Sequence, residues 1–211
     1  MFNNIESNYT ISRLQTSELH ELIHFVVEQN YSHHSPKIDT VAIEEETLSL
    51  VNEELKICSD NSLTYVARSQ SGQIIGSIRS CRWDRKATLP MLKIFNINPA
   101  EIIEPSEDVQ FWHVGRFAVD SCCGISPIIL FKQLMHFAII PIVEAGNAIM
   151  LAEVDNHLMR VVNHLGIKTH PLGNSIVYLG SLTTPVYSLA SDLHDYYDRY
   201  KTSFAEQKLS K

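Results

Sequence analysis

The chain has 211 residues, of which 45% are hydrophobic, with 17 Lys and Arg against 24 Asp and Glu for a formal net charge of -7. That length suits a single domain able to bury its own core, with room for a small appendage. The acidic balance argues against nucleic acid as the main partner, because phosphate binding needs a basic surface.

The N-terminus, "MFNNIESNYTISRLQ", has no basic start followed by an apolar run, so no signal peptide is expected. Residues 9–15 alternate and predict a first strand. "TSELHELIHFVVEQNY" predicts a helix, with Thr16 or Ser17 as cap and Leu19, Leu22, Ile23, Val26 and Val27 at helical spacing. A second helix follows, capped by Asp39 or Thr40, with Ile43, Leu48, Val51 and Leu55 as its apolar stripe. The acidic runs "IEEET" and "DLHDYYDRY" read as solvated faces.

Two apolar runs flanking "QSGQ" predict a hairpin with a Gly turn. Residues 84–108 carry three prolines and are read as irregular, with a short helix near "MLKIF". "FWHVGRFAVDSCCG" predicts a strand with an arginine inside it. A long helix follows from Pro127 to its stop at Gly146, with Pro141 expected to kink or divide it. Its longest apolar run, residues 137–143, is too short for a transmembrane segment. "NAIMLAEVD" predicts a strand, "NHLMRVVNHLGI" a helix, and residues 175–189 one or two strands. The C-terminal residues predict a surface helix that frays. The four cysteines show no Cys-x-x-Cys spacing, and Cys122 adjoins Cys123, so a reduced, cytoplasmic protein is expected and no metal site.

The predicted order, β-α-α-β-β-β-α-β-α-β, implies an α+β fold, one sheet with helices on both faces. This order, together with "VGRFAVD" and "AEVDNHLMRVVNHLGI", resembles the GNAT acyltransferase fold over residues 9–189. Within that superfamily the chain is most similar to acyl-homoserine lactone synthases and long-chain N-acyl amino acid synthases. The resemblance implies an α/β/α sandwich with a mixed, mostly antiparallel sheet. The expected division is a GNAT-like acyltransferase domain at residues 1–190 and a surface helix and tail at residues 191–211.

The resemblance implies transfer of an acyl group from a thioester to the amine of a small amino-acid-like acceptor, with no permanently bound cofactor. The donor-binding strand would be Phe117, Ala118 and Val119, followed by Gly124, Ile125 and Ser126 at a helix N-terminus, a natural anion site. Asn156 is a further donor-side candidate, with helix capping as its plain alternative. Where relatives carry a glycine-rich loop, "SCCGISP" has one glycine and Pro127. Such a loop suits acyl carrier protein, whose phosphopantetheine has no pyrophosphate, alongside coenzyme A. Small-molecule acetylation from acetyl-coenzyme A and an inactive GNAT-like binding module are the alternatives.

His113 is the candidate general base, standing where autoinducer synthases carry Glu, with a rim histidine as the plain alternative. Arg116 is read as a polar anchor of the acceptor cleft, paired with Glu153 or Asp120, because a buried arginine needs an anion. Strict alternation would put His113 and Arg116 on opposite faces unless a bulge intervenes. His33, His34, Trp83 and Glu153 are candidates for the acceptor or acyl pocket. Val162 occupies the position of a Tyr that many GNAT enzymes use as general acid. Cys122 and Cys123 are read as non-catalytic.

Overall fold

The computed structural model describes residues 8–34, 40–57, 62–103, 108–178 and 181–204. Strand β1 (Tyr9–Arg13) leads through a 3-10 turn (Thr16–Glu18) into α1 (Leu19–His34). The turn is closed by Glu18, whose Oε2 accepts from the Gln15 amide at 2.8 Å. Then come α2 (Thr40–Ile57), the hairpin β2 (Ser62–Ser69) and β3 (Ile74–Trp83), and two short helices, α3 (Pro90–Phe95) and α4 (Pro99–Ile102). Gly72 turns the hairpin at φ +85°. Strand β4 (Gln110–Val119), helix α5 (Pro127–Ala145), strand β5 (Ala148–Asp155) and helix α6 (Asn156–His164) follow. The chain closes with β6 (His170–Pro171), β7 (Ile176–Tyr178), β8 (Ser181–Leu189) and α7 (Ala190–Phe204).

The eight strands form one sheet in the order β1-β2-β3-β4-β5-β8-β6, with β7 paired to β8. Every neighbouring pair is antiparallel except β4 and β5, which run parallel. The larger core joins the sheet to α5, α6 and α7 through residues such as Ile78, Trp112, Leu134, Ile139, Val162 and Tyr196. On the other face, α1 packs Leu22, Phe25 and Val26 on Val66, Ile74 and Ala118. Helix α3 packs Met91 on Phe111 and Leu151 of that face. The α/β/α sandwich expected from the element order is therefore present.

Three local expectations are corrected. Of the kink or division expected at Pro141, the division does not occur: α5 runs on through it, and its flanks, Phe137, Ala138, Ile139, Ile142 and Val143, are all buried, packing that holds the helix across the missing N–H. Length and apolar composition would suffice for α5 to cross a membrane, but here it is the central core helix, mostly covered by its neighbours. On α2 the buried face is Ile43, Thr47 and Glu54, with Leu50 and Val51 half-buried, while Leu48 and Leu55 are about half exposed at 50% and 49%. The expected stripe was thus displaced around the helix. Finally, the helix expected on the surface at the C-terminus buries Leu193 and Tyr196 completely against α5, and Tyr196 Oη donates to the Lys132 carbonyl at 2.9 Å. Only its polar side faces solvent.

Candidate active site

The parallel ladder between β4 and β5 begins at Gln110 and Ala148 and ends at His113 and Leu151. Beyond that pair β4 continues to Val119 and β5 to Asp155 without pairing to each other. The two strands fork, and the β5-side edge of β4 is left without a strand partner among the described residues. Backbone groups on such an edge can hydrogen-bond an extended ligand.

At the fork β4 bulges. Arg79 lies opposite Gly115, and Ser77 lies opposite Ala118, so β4 spends one more residue than β3 over this interval. Arg116 takes up the extra residue at φ +53°, in the left-handed region, and its carbonyl accepts from Ser77 Oγ at 2.8 Å. The bulge reverses the alternation of β4. Before it, Trp112 and Val114 face the α5 core; after it, Phe117 and Val119 do. His113 and Arg116, separated by an odd number of residues, thereby come to the same face.

That face holds a buried chain of charges. Glu54 on α2 receives Arg79 Nη1 on Oε2 at 2.5 Å, and Arg116 on Oε1, from Nε at 2.7 Å and Nη2 at 2.6 Å. Arg79 Nη2 lies 2.6 Å from His113 Nδ1, and His113 Nε2 lies 2.9 Å from Glu153 Oε2. The side chains of Arg79, Glu54 and His113 are 3%, 4% and 2% exposed; those of Glu153 and Arg116 are 13% and 16% exposed. Gly115 makes room for this arrangement: a Cβ there would stand 3.1 Å from His113 Cε1 and 3.5 Å from Arg79 Nη2.

The electrostatics follow from this geometry. Burial pushes the Glu54 carboxyl up, but Arg79 and Arg116 together outweigh it and hold the group below the ordinary carboxylate range. Burial pushes Glu153 up as well, and its contacts with His113, aided by Arg79, again bring the net shift below that range. Burial raises the Tyr178 hydroxyl of β7, which also feels Glu46, Arg116, Glu153 and Glu53 in that order.

The predicted residues separate into three groups. His113, Arg116 and Glu153 come together, but Arg116 pairs with Glu54 and not with Glu153 or Asp120. His113 is buried and not on a rim. Phe117, Ala118 and Val119 lie on β4 past the bulge. Phe117 packs edge-on to Phe131 at 5.0 Å, and Ala118 is buried toward α1. Gly124, Ile125 and Ser126 lead into α5; Gly124 has φ +76°, and the Ser126 carbonyl accepts from the Ile129 amide at 2.9 Å. The remaining candidates lie apart. Trp83 ends β3, stacks edge-on to Phe111 and donates Nε1–H to the Ala87 carbonyl at 2.7 Å. Asn156 is exposed, and the cap of α6 is Asp155, which accepts from His157 and Leu158 amides. His33 and His34 end α1, and their side chains lie outside the described residues. Val162 is core.

Sequence reasoning missed Glu54, Arg79 and Tyr178. A signal existed for the first two. Glu54 falls in register with Ile43, Thr47 and Val51 on one helical face, and Arg79 sets a charge in the middle of a predicted strand. Two strand arginines facing one side call for a carboxylate from the element above.

No family model and no curated protein matches the chain. Solved structures do. FeeM, an N-acyl amino acid synthase from uncultured soil microbes, aligns with a TM-score of 0.62 at 14% identity over 92% of this chain and 97% of its own. BjaI, a CoA-dependent acyl-homoserine lactone synthase, aligns at 0.60 and 14% identity over 92% and 90%. An acetyltransferase of the GNAT family from Staphylococcus aureus aligns at 0.53 and 16% identity over 85% and 97%. The chain has the GNAT fold, in the form shared with these synthases.

Proposed function

We propose that this chain is an N-acyltransferase that moves an acyl group from an acyl thioester to the amine of a small amino-acid-like acceptor. The observation that carries the reading is the fork between β4 and β5 past His113 and Leu151, with a buried polar chain at its apex. An extended phosphopantetheine arm fits such an opening. Amides on the β5-side edge of β4 at Phe117 and Val119, flanking Ala118 whose own amide faces β3, would hold it and polarise the thioester carbonyl. The His113–Glu153 pair would receive the proton that the amine must lose. Arg116, tied to Glu54, would anchor the acceptor side. The fork argues against the inactive-module reading, which has no use for an open donor edge.

For the donor we favour acyl carrier protein over coenzyme A. The loop of Gly124, Ile125 and Ser126 meets α5 at Pro127, which offers no N–H to a pyrophosphate. A cytoplasmic setting belongs to this reading and is in keeping with Cys81, Cys122 and Cys123 as free thiols. The test is incubation with acyl carrier protein or coenzyme A thioesters of varied chain length and a panel of amino acids, read by mass spectrometry. An acyl-amine product supports the proposal; its absence from every pairing overturns it.

A further inference from the structure

The hydrogen bonds around His113 determine which atoms carry protons. A guanidinium can only donate, so Arg79 Nη2 at 2.6 Å requires His113 Nδ1 to be the bare acceptor nitrogen. The neutral ring then carries its proton on Nε2 and donates it to Glu153 Oε2 at 2.9 Å. Both ring nitrogens are engaged, and the side chain is 2% exposed. His113 therefore has no lone pair left for a substrate. The other oxygen of its partner is different. Glu153 Oε1 is buried and has no hydrogen-bond partner among the described residues. Glu153 also stands two residues past Leu151, where β5 has already parted from β4.

We propose that Glu153, through Oε1, is the catalytic proton acceptor of the acyl transfer, and that His113 and Arg79 are positioning residues that hold its carboxylate in place. This rests on the acyltransferase reading and assigns within it the atom that does the work. The amine nitrogen attacks the thioester carbonyl carbon, forming C–N while the π pair moves to oxygen. The nitrogen, now positively charged, passes one proton to Glu153 Oε1. The carbonyl re-forms, C–S breaks, and the thiolate takes the proton back from Glu153. The products are an amide and a free thiol, and the carboxylate is regenerated.

The charged and titratable groups facing Glu153 are His113 from β4, Arg79 from β3 and Tyr178 from β7. Against the opposing effect of burial, the Nε2–H hydrogen bond from His113 and the guanidinium charge of Arg79 keep the carboxyl ionised, as an acceptor must be.

Two experiments test this. Nitrogen-15 spectra of histidine-labelled protein at neutral pH should show His113 as the neutral Nε2–H tautomer. An Nδ1–H tautomer or an imidazolium overturns the assignment, whatever the activity proves to be. In acyl-transfer assays, Glu153→Gln should lower kcat on the order of 10²–10⁴-fold, the usual worth of a general base. His113→Gln supplies a carbonyl to Arg79 and an N–H to Glu153 without a titratable group. It should lose less than about tenfold, whereas His113→Leu, which can do neither, should fall as far as Glu153→Gln. Activity in Glu153→Gln near that of the unmodified protein, or a His113→Gln variant as inactive as Glu153→Gln, overturns the assignment alone. If the unmodified protein makes no acyl-amine at all, the acyltransferase reading falls and the catalytic role of Glu153 falls with it.

Discussion

Glu54 pairs two guanidiniums with one carboxylate, each oxygen serving a different strand. A buried ion chain is poor evidence of net stability, because desolvation offsets most of the Coulomb gain, but breaking one is costly. Glu54→Gln removes the charge both arginines face and should destabilise the fold by about 3–5 kcal/mol. Glu53→Gln, one residue away, loses only the exposed pair with Lys93 and should cost about 0–1 kcal/mol. Urea unfolding midpoints measure the difference. The acid side has a definite sign. The folded-state values of Glu54 and Glu153 lie below their unfolded values, near 4.3 for a free Glu. The stability they contribute is complete above about pH 4.3 and is lost as pH falls through the folded values. Stability measured from pH 6 to pH 3 should therefore fall less steeply in Glu54→Gln than in the unmodified protein.

Among the elements, the β4 bulge decides most. Its single extra residue turns Phe117 and Val119 toward α5 and brings Arg116 round to His113. Deleting Arg116 would restore strict alternation and drive Phe117 and Val119 out of the larger core. Arg116→Asn keeps the residue count, and Asn tolerates the left-handed backbone, so it loses only the pair with Glu54. The deletion should lower the thermal midpoint well below that of Arg116→Asn; equal midpoints would show that the bulge does not set the facing of the strand. Helix α2 carries the complementary lesson. Its apolar spacing announced a helix, but spacing alone chose the wrong face, because Leu48 and Leu55 look like core while the partners that make Glu54 a buried residue lie on strands elsewhere in the chain.

At the scale of the whole molecule, α7 closes the layer over α5. Leu193 and Tyr196 are fully buried there, and burial raises the Tyr196 hydroxyl, which stays protonated and donates to Lys132. Leu193→Ala should cost about 2–5 kcal/mol. Tyr196→Phe, which deletes one hydrogen bond, should cost about 0.5–1.5 kcal/mol. Both are read from denaturant melts, and a surface helix would show neither loss. By itself, the sequence determined the element order, the hairpin, the long core helix and the resemblance of "VGRFAVD" and "AEVDNHLMRVVNHLGI" to an acyl-transfer scaffold. All of these rest on contacts or periodicities within a few residues. What only the tertiary structure decided is which groups meet at the fork: that Arg116 pairs with Glu54, 62 residues away, that Arg79 joins the chain, and that His113 spends both nitrogens while Glu153 Oε1 is left without a hydrogen-bond partner. Ion pairs and proton positions depend on distances between separate elements, and a one-residue bulge reverses every facing that alternation would assign.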